Sequence, residues 1–209
     1  MRLLIFGPQG AGKGTQGRRV AEEFDLDAIA TGDMFRWAIS QETEVGMKAK
    51  EYVNEGRLVP DDVTVEVVRE RLEAKDFDNF LLDGFPRNTS QADSLDKMLS
   101  EHSAEIEAVL VLEVPEEVSL RRIVGRMVCS SCGRNYHEDS PPQENWTCDR
   151  CGGHVERRTD DTPENVKKRL RLYHEQTEPL KSHYRDVLHV IDGLGSPDDV
   201  FSRILEGLK

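Results

Sequence analysis

The sequence predicts an α/β fold, a parallel sheet with helices on both faces, on three observations. Short apolar runs alternate with amphipathic stretches along most of the 209 residues. The first run, Leu3-Leu4-Ile5-Phe6, opens directly into the glycine-rich Gly7-Pro8-Gln9-Gly10-Ala11-Gly12-Lys13-Gly14-Thr15. No apolar run approaches the roughly 20 residues of a membrane span. Alternation of this kind builds open parallel sheets that take ligands at the carboxyl ends of their strands.

Strands are expected at Arg2–Phe6, Asp27–Ala30, Phe80–Asp83, Ala108–Glu113 and Leu188–Asp192. The helix after the glycine-rich loop runs from roughly Gly12 to Phe24. Further helices are expected at Asp33–Ser40, Gly46–Asn54, Asp61–Glu73, Ser90–Leu99, Glu116–Met127, Pro163–Arg185 and Pro197–Leu208. Asp61 ahead of Val63, and Thr162 ahead of Pro163-Glu164, carry cap chemistry. Two segments break the rhythm. Between Thr31 and Pro60 there are helical patterns but no strand, which predicts a small helical flap beside the sheet. From Val128 to Asp161 cysteines, glycines, Pro141-Pro142, Tyr136 and Trp146 replace the helical pattern, marking an insertion with its own purpose.

The length suits one core and a small inserted module. A formal charge of −12 argues against gripping a nucleic-acid backbone and makes any arginine cluster conspicuous. The chain opens on a strand pattern rather than a secretion signal, so a cytoplasmic location with reduced thiols is expected.

Strand, glycine-rich loop and helix together form a phosphate site. Glycines let successive N–H groups converge on phosphate oxygens, the helix adds the positive end of its dipole, and Lys13 adds a mobile cation. The expected ligand is a nucleoside polyphosphate. In the generic motif a hydroxyl residue directly follows the lysine; here Gly14 intervenes before Thr15.

Cys129-x2-Cys132, fifteen residues and Cys148-x2-Cys151 fit a four-thiolate zinc template, with glycine just after each pair. Such a closed site is structural. Paired disulfides, a redox role and another metal stay open as alternatives. His137 and His154 lie nearby, but four sulfurs already complete a tetrahedron, so packing or hydrogen bonding is their expected role.

The strand Phe80-Leu81-Leu82-Asp83 ends in an acid suited to orienting Mg²⁺, and Gly84-Phe85-Pro86-Arg87 then aims an arginine at the cleft. Gln91, one helical turn on, has the donor and acceptor pair that reads an adenine edge. Arg36, Arg122, Arg126, Arg157, Arg158 and Arg169 bracket the two unusual segments. Guanidinium groups placed there stabilise charge on a transferring phosphoryl group. No Ser-His-Asp set or paired-carboxylate arrangement competes for the chemistry. Asp160-Asp161 beside Arg158 suits an ion-pair partner or a hinge lock; taken alone it reads as a solvated loop.

Gly-Pro-Gln-Gly-Ala-Gly-Lys-Gly-Thr, Thr-Gly-Asp-Met-Phe-Arg, Leu-Asp-Gly-Phe-Pro-Arg and Arg-Thr-Asp-Asp occur in this order. In identity and order they resemble the motifs of the adenylate kinase family, over essentially the whole chain. The insertion is similar to the long lid of the bacterial zinc-bearing form. The resemblance implies a P-loop nucleoside triphosphate hydrolase-like sheet and reversible phosphoryl transfer from MgATP to AMP, giving two ADP. It implies a core of residues 1–30, 61–125 and 163–209, an AMP-binding flap at 31–60 and a zinc-binding lid at 126–162. Gly10, Ala11, Gly12, Lys13, Gly14 and Thr15 would cradle ATP phosphates, with Arg122, Arg126, Asn135, Tyr136 and the Gly195 backbone contacting ATP from the lid side and the adenine pocket. Thr31, Arg36, Arg57, Leu58, Val59, Gly84, Phe85, Pro86, Arg87 and Gln91 would hold AMP. Arg158 and Arg169 would bridge the phosphates, and Asp83 would position Mg²⁺ through water. Lys13, Asp83, Arg87, Arg126, Arg158 and Arg169 would carry catalysis, with Zn²⁺ on Cys129, Cys132, Cys148 and Cys151. The partners implied are ATP, AMP and ADP, with no nucleic acid or membrane. A complete site in one chain points to a monomer. Two departures stand out: the order Pro8-Gln9, where the usual family loop has proline next to Gly10, and Trp37 in place of a smaller residue. Rival readings are another nucleoside monophosphate kinase and a zinc-ribbon module using ATP as a switch.

Overall fold

The computed structural model describes residues 1–208. Strand β1 (Arg2–Phe6) lies at the centre of a fully parallel sheet with β2 (Asp27–Ala30), β3 (Phe80–Asp83), β4 (Ala108–Glu113) and β5 (Leu188–Asp192), in the order β2-β3-β1-β4-β5. All five match the expected bounds. The pleat sends successive side chains to opposite faces. Leu4, Phe6, Phe80, Leu82, Val109 and Val111 therefore join one core cluster, and Leu3, Ile5, Leu81, Leu110 and Leu112 the other. Helices α1 (Lys13–Phe24) and α9 (Pro197–Gly207) cover the second face; α4 (Asp61–Glu73) and α5 (Thr89–Glu101) cover the first. Leu3, Leu4 and Ile5 are each fully buried, and a buried side chain of this size contributes about 1.5–3 kcal/mol.

Residues 31–60 contain α2 (Thr31–Ser40) and α3 (Glu44–Asn54), which pack on Phe35, Ala49 and Val59 with Val63 and Val67 of α4. The approach is close enough that a Cβ on Gly46 would lie 2.1 Å from the Ala38 carbonyl oxygen. Helix α2 starts at Thr31 rather than Asp33, because β2 runs into it without a loop.

Helix α6 (Glu116–Val124) stops three residues short of the expected Met127. Gly125 ends it. Arg126–Cys129 is then the central strand, β6, of a small antiparallel sheet, flanked by β7 (Asn135–His137) and β8 (Val155–Arg157). The helix expected over Pro163–Arg185 is also interrupted. Helix α7 (Pro163–Leu172) passes into a π-helical turn over Tyr173–Thr177, then α8 (Leu180–His183) and a 3₁₀ turn at Arg185–Val187. Pro179 lacks an N–H, and Glu178 N–H reaches back five residues to the Tyr173 carbonyl. Thr162 caps α7 through the Asn165 N–H, but Asp61 is no cap. Its carboxylate instead accepts from the side-chain amides of Asn88 and Gln91.

Candidate active site

The loop after β1 turns tightly where side chains would not fit. Gly7 has φ 143° and Gly10 φ 84°, and a Cβ on either would lie 2.5 Å from a carbonyl oxygen, of Leu112 and Ser119 respectively. These close approaches bring the loop onto β4 and α6 and leave the start of α1 open to a cavity of about 930 Å³. Lys13 bridges the loop from inside, donating to the Gly7 and Pro8 carbonyls at 2.7 and 2.9 Å. Burial lowers its pKa to about 8, against the pull of the Asp83 carboxylate and helped by Arg87 and Arg126. At the end of β3, burial raises the pKa of Asp83, with Lys13 opposing.

Arginines reach the cavity from three directions. From the sheet, Arg87 donates from Nε to the Gly84 carbonyl at 2.8 Å, and burial with Arg169 nearby lowers its pKa to about 10. From the flap, Arg36 pairs with Asp33 at 2.5 Å. From the small sheet, Arg126 grips Asp161 through Nε at 2.8 Å and Nη2 at 2.6 Å. Arg158 lies between Asp33 and Asp160, its pKa lowered to about 9 by burial and by the charges of Arg36 and Arg126. Arg169 on α7 holds Asp160 at 2.7 Å. Burial pushes the Asp160 carboxyl upward, but Arg158, Arg169 and Arg36 hold it below the ordinary range. The side chains of Asp160 and Asp161 are thus withdrawn from solvent and organise the cationic cluster; the expected ion pair with Arg158 is present, at 3.6 Å to Asp160, and the solvated-loop reading is overturned.

The cavity wall includes Gly10 to Thr15, Thr31, Arg36, Arg57, Leu58, Val59, Asp83, Gly84, Pro86, Arg87, Gln91, Arg122, Arg126, Asn135, Tyr136, Arg158, Arg169 and Gly195. Phe85 is absent from it; the ring is fully buried in the sheet core. Three residues stand differently from a ready ligand contact. Gln91 has both ends of its amide engaged, donating to Asp61 at 2.7 Å and accepting from the Arg87 N–H at 2.8 Å. Arg57 pairs with Glu51 and Glu55 and stacks on Tyr52. Arg122 donates to the carbonyls of Gly193 and Ala11.

Sequence reasoning missed Asp33 and Gln9. Asp33 faces Arg18, Arg36 and Arg158, which outweigh the effect of burial and lower its pKa. Its signal was present, an acid three residues before Arg36 on a helix. Gln9 donates to Asp161 at 3.0 Å, a contact across 152 residues that no local pattern announces.

In the small sheet, the sulfurs of Cys129, Cys132, Cys148 and Cys151 lie within 4.8 Å of one another, and the Cys129–Cys151 and Cys132–Cys148 pairs are each 3.6 Å apart. Zinc–sulfur bonds of about 2.3 Å in a tetrahedron require sulfur separations of roughly 3.8 Å, so the donor set fits such an ion. None of the four is bridged as a disulfide. The Tyr136 hydroxyl donates to Cys148 Sγ at 3.4 Å and, with the backbone N–H groups of Arg150 and Cys151, holds that thiol below its ordinary pKa.

A glycine-rich loop, a half-buried lysine and arginines converging from a sheet, a helical flap and a cysteine-bearing insertion form a characteristic set, and the comparisons agree with it. The family model described as Adenylate kinase matches residues 5–188. The chain is 46% identical to the adenylate kinase of Carboxydothermus hydrogenoformans over the full length of both. It is 47% identical to that of Streptomyces coelicolor, covering all of this chain and 99% of the other, and 46% identical to that of Archaeoglobus fulgidus over both full lengths. Site and sequence together place this chain in the adenylate kinase family.

Proposed function

We propose that the cavity takes MgATP and AMP together and that the arginine cluster closes on the phosphates between them. The activity is that of an adenylate kinase: reversible phosphoryl transfer from MgATP to AMP, giving two ADP. One observation supports the residue assignment above the others. Arg36, Arg87, Arg126, Arg158 and Arg169 converge on one interior cavity from elements far apart in the sequence, beside the phosphate loop.

In this reading Lys13 leaves the Gly7 and Pro8 carbonyls for the transferring phosphate, and Arg126, Arg158 and Arg169, held by their carboxylate partners, turn their remaining N–H donors to phosphate oxygens. Thr31, Arg36 and Arg87 hold the AMP side. The attacking phosphate oxygen is already anionic, so no general base is required. The flap at 31–60 and the lid at 126–162 would act as the movable walls around a core of 1–30, 61–125 and 163–209, excluding water from the transfer. Asp83 would orient Mg²⁺, which supplies neutralisation of phosphate charge. The four cysteines would hold a structural Zn²⁺, their sulfur spacing supporting that ion. The cytoplasm is the proposed location, in keeping with unbridged cysteines.

A coupled assay for ADP formation from MgATP, with and without AMP, tests the reading. Rapid ADP formation only when AMP is present is expected; slow formation indifferent to AMP would indicate a plain ATPase. Lys13→Ala and Arg87→Ala are expected to cut turnover by about 10²–10³-fold without unfolding the protein. A full-rate Arg87→Ala enzyme would remove Arg87 from the assignment.

A further inference from the structure

The phosphate loop carries Gln9 between Pro8 and Gly10, and that side chain leaves the loop altogether. Its backbone is pinned: the hydroxyl of Ser119, a fully buried residue of α6, donates to the Gln9 carbonyl at 2.5 Å. With the backbone held, the side chain reaches across the cavity wall and Nε2 donates to Asp161 Oδ1 at 3.0 Å. The amide orientation follows from chemistry, since the reverse would set Oε1 against a carboxylate, acceptor against acceptor. Oε1 itself is buried without a partner, so the Asp161 contact is the polar interaction that this side chain makes.

Asp161 is a junction. Its carboxylate accepts from Arg126 at 2.6 and 2.8 Å and faces Arg169 Nη1 at 3.4 Å, and its side chain is 7% exposed. A carboxylate with several acceptor sites takes its orientation from all its donors. Gln9 is the donor that comes from the phosphate loop, whereas Arg126 comes from β6 and Arg169 from α7. We propose that Gln9 is a positioning residue: it registers Asp161 against the phosphate loop, and so sets where Arg126 stands when ATP phosphates arrive. A neutral amide suits this task. It fixes the carboxylate by a charge-assisted hydrogen bond without neutralising it, and adds no cation to compete with the arginines for phosphate. The inference rests on the reading that the loop and Arg126 hold ATP phosphates.

Gln9→Met keeps the side-chain volume and removes the donor. It is expected to lower kcat/KM for MgATP about tenfold, the size of a lost hydrogen bond to a charged group, while kcat/KM for AMP at saturating MgATP stays within twofold. The same substitution in an Asp161→Ala background is expected to change kcat/KM for MgATP by less than about twofold, because the contact is already gone. Three results would overturn the inference: Gln9→Met within twofold of the parent on MgATP, equal losses on both substrates, or an undiminished loss in the Asp161→Ala background. The parent protein separates this outcome from failure of the functional reading. If the parent lacks AMP-dependent ADP formation, that reading falls; if the parent is active and Gln9→Met is unimpaired, only the role of Gln9 falls.

Discussion

The two segments that interrupt the sheet are held together by different physics. The flap packs two helices of ten and eleven residues on a small apolar core, Phe35, Ala49 and Val59, and borrows Val63 and Val67 from α4. The cysteine-bearing insertion has strands of three and four residues, and its buried cluster is Met127, Cys129, Cys148 and Val155. Two of those four are thiols. That is little apolar surface for a lobe of this length, and in the proposed reading a Zn²⁺ on the four cysteines would hold its shape. The flap shares the main core and calls on no such ion.

Separate failure of the two segments would sharpen that contrast. The largest effect is expected from Cys148→Ser or chelation, since structural zinc sites supply on the order of 10 kcal/mol in small domains. The insertion should lose protection in hydrogen exchange while α2 and α3 keep theirs. Identical exchange and melting with and without metal would remove the distinction. Next come the arginines of the two sides. Arg126→Ala is expected to lower kcat/KM for MgATP by about 10²–10³-fold, and Arg36→Ala to act mainly on KM for AMP. Equal effects of both variants on both substrates would mean that the sides do not act separately. Gly46→Val drives a side chain into the Ala38 backbone. It should destabilise the flap by about 1–3 kcal/mol, raising KM for AMP and leaving the metal-dependent transition unmoved.

The smallest predicted effect is a fraction of a proton. Lys13 in the ligand-free protein has a pKa lowered to about 8. Phosphate beside it favours the ammonium form, so MgATP binding near pH 8.5 should take up a proton, and affinity should fall as pH rises through that range. Calorimetry in two buffers of different ionisation enthalpy measures the uptake. AMP binding should show much less, and equal uptake for both nucleotides would place Lys13 between the two sides rather than on one.

Much of the molecule could be read from the chain because its strongest signals are local. The five strands of the parallel sheet are short, largely apolar runs, and each matched its bounds, whereas the three short strands of the small sheet carry no such pattern and were not expected. The break at Gly125 was hidden because Leu120, Ile123 and Met127 continue a helical spacing through it; a glycine and a change of partner end α6, and periodicity records neither. The phosphate loop and most of the arginines were legible as motifs. Side chains that answer distant partners were not. Gln91 is committed to Asp61, and Asp160 and Asp161 are buried because α7 and β6 fold back on them. Apart from Arg158 beside Asp160, nothing next to these residues in the sequence specifies that company.

The π-helical turn at Tyr173–Thr177 carries a consequence for the spacing of the chain. Upstream of it α7 aims Arg169 at the cavity; at its end the Thr177 hydroxyl donates to the Arg87 carbonyl at 2.8 Å, and just beyond it Leu180 enters the sheet core. A π turn holds about one residue more than the α-helix around it. Winding the same number of residues there as regular α-helix would rotate everything downstream by about 100° relative to α7. Arg169 and Leu180 could then not both face inward. The winding of this stretch is therefore as constrained as its composition, and a change that forces it into regular α-helix at unchanged length should harm the site more than most substitutions within it.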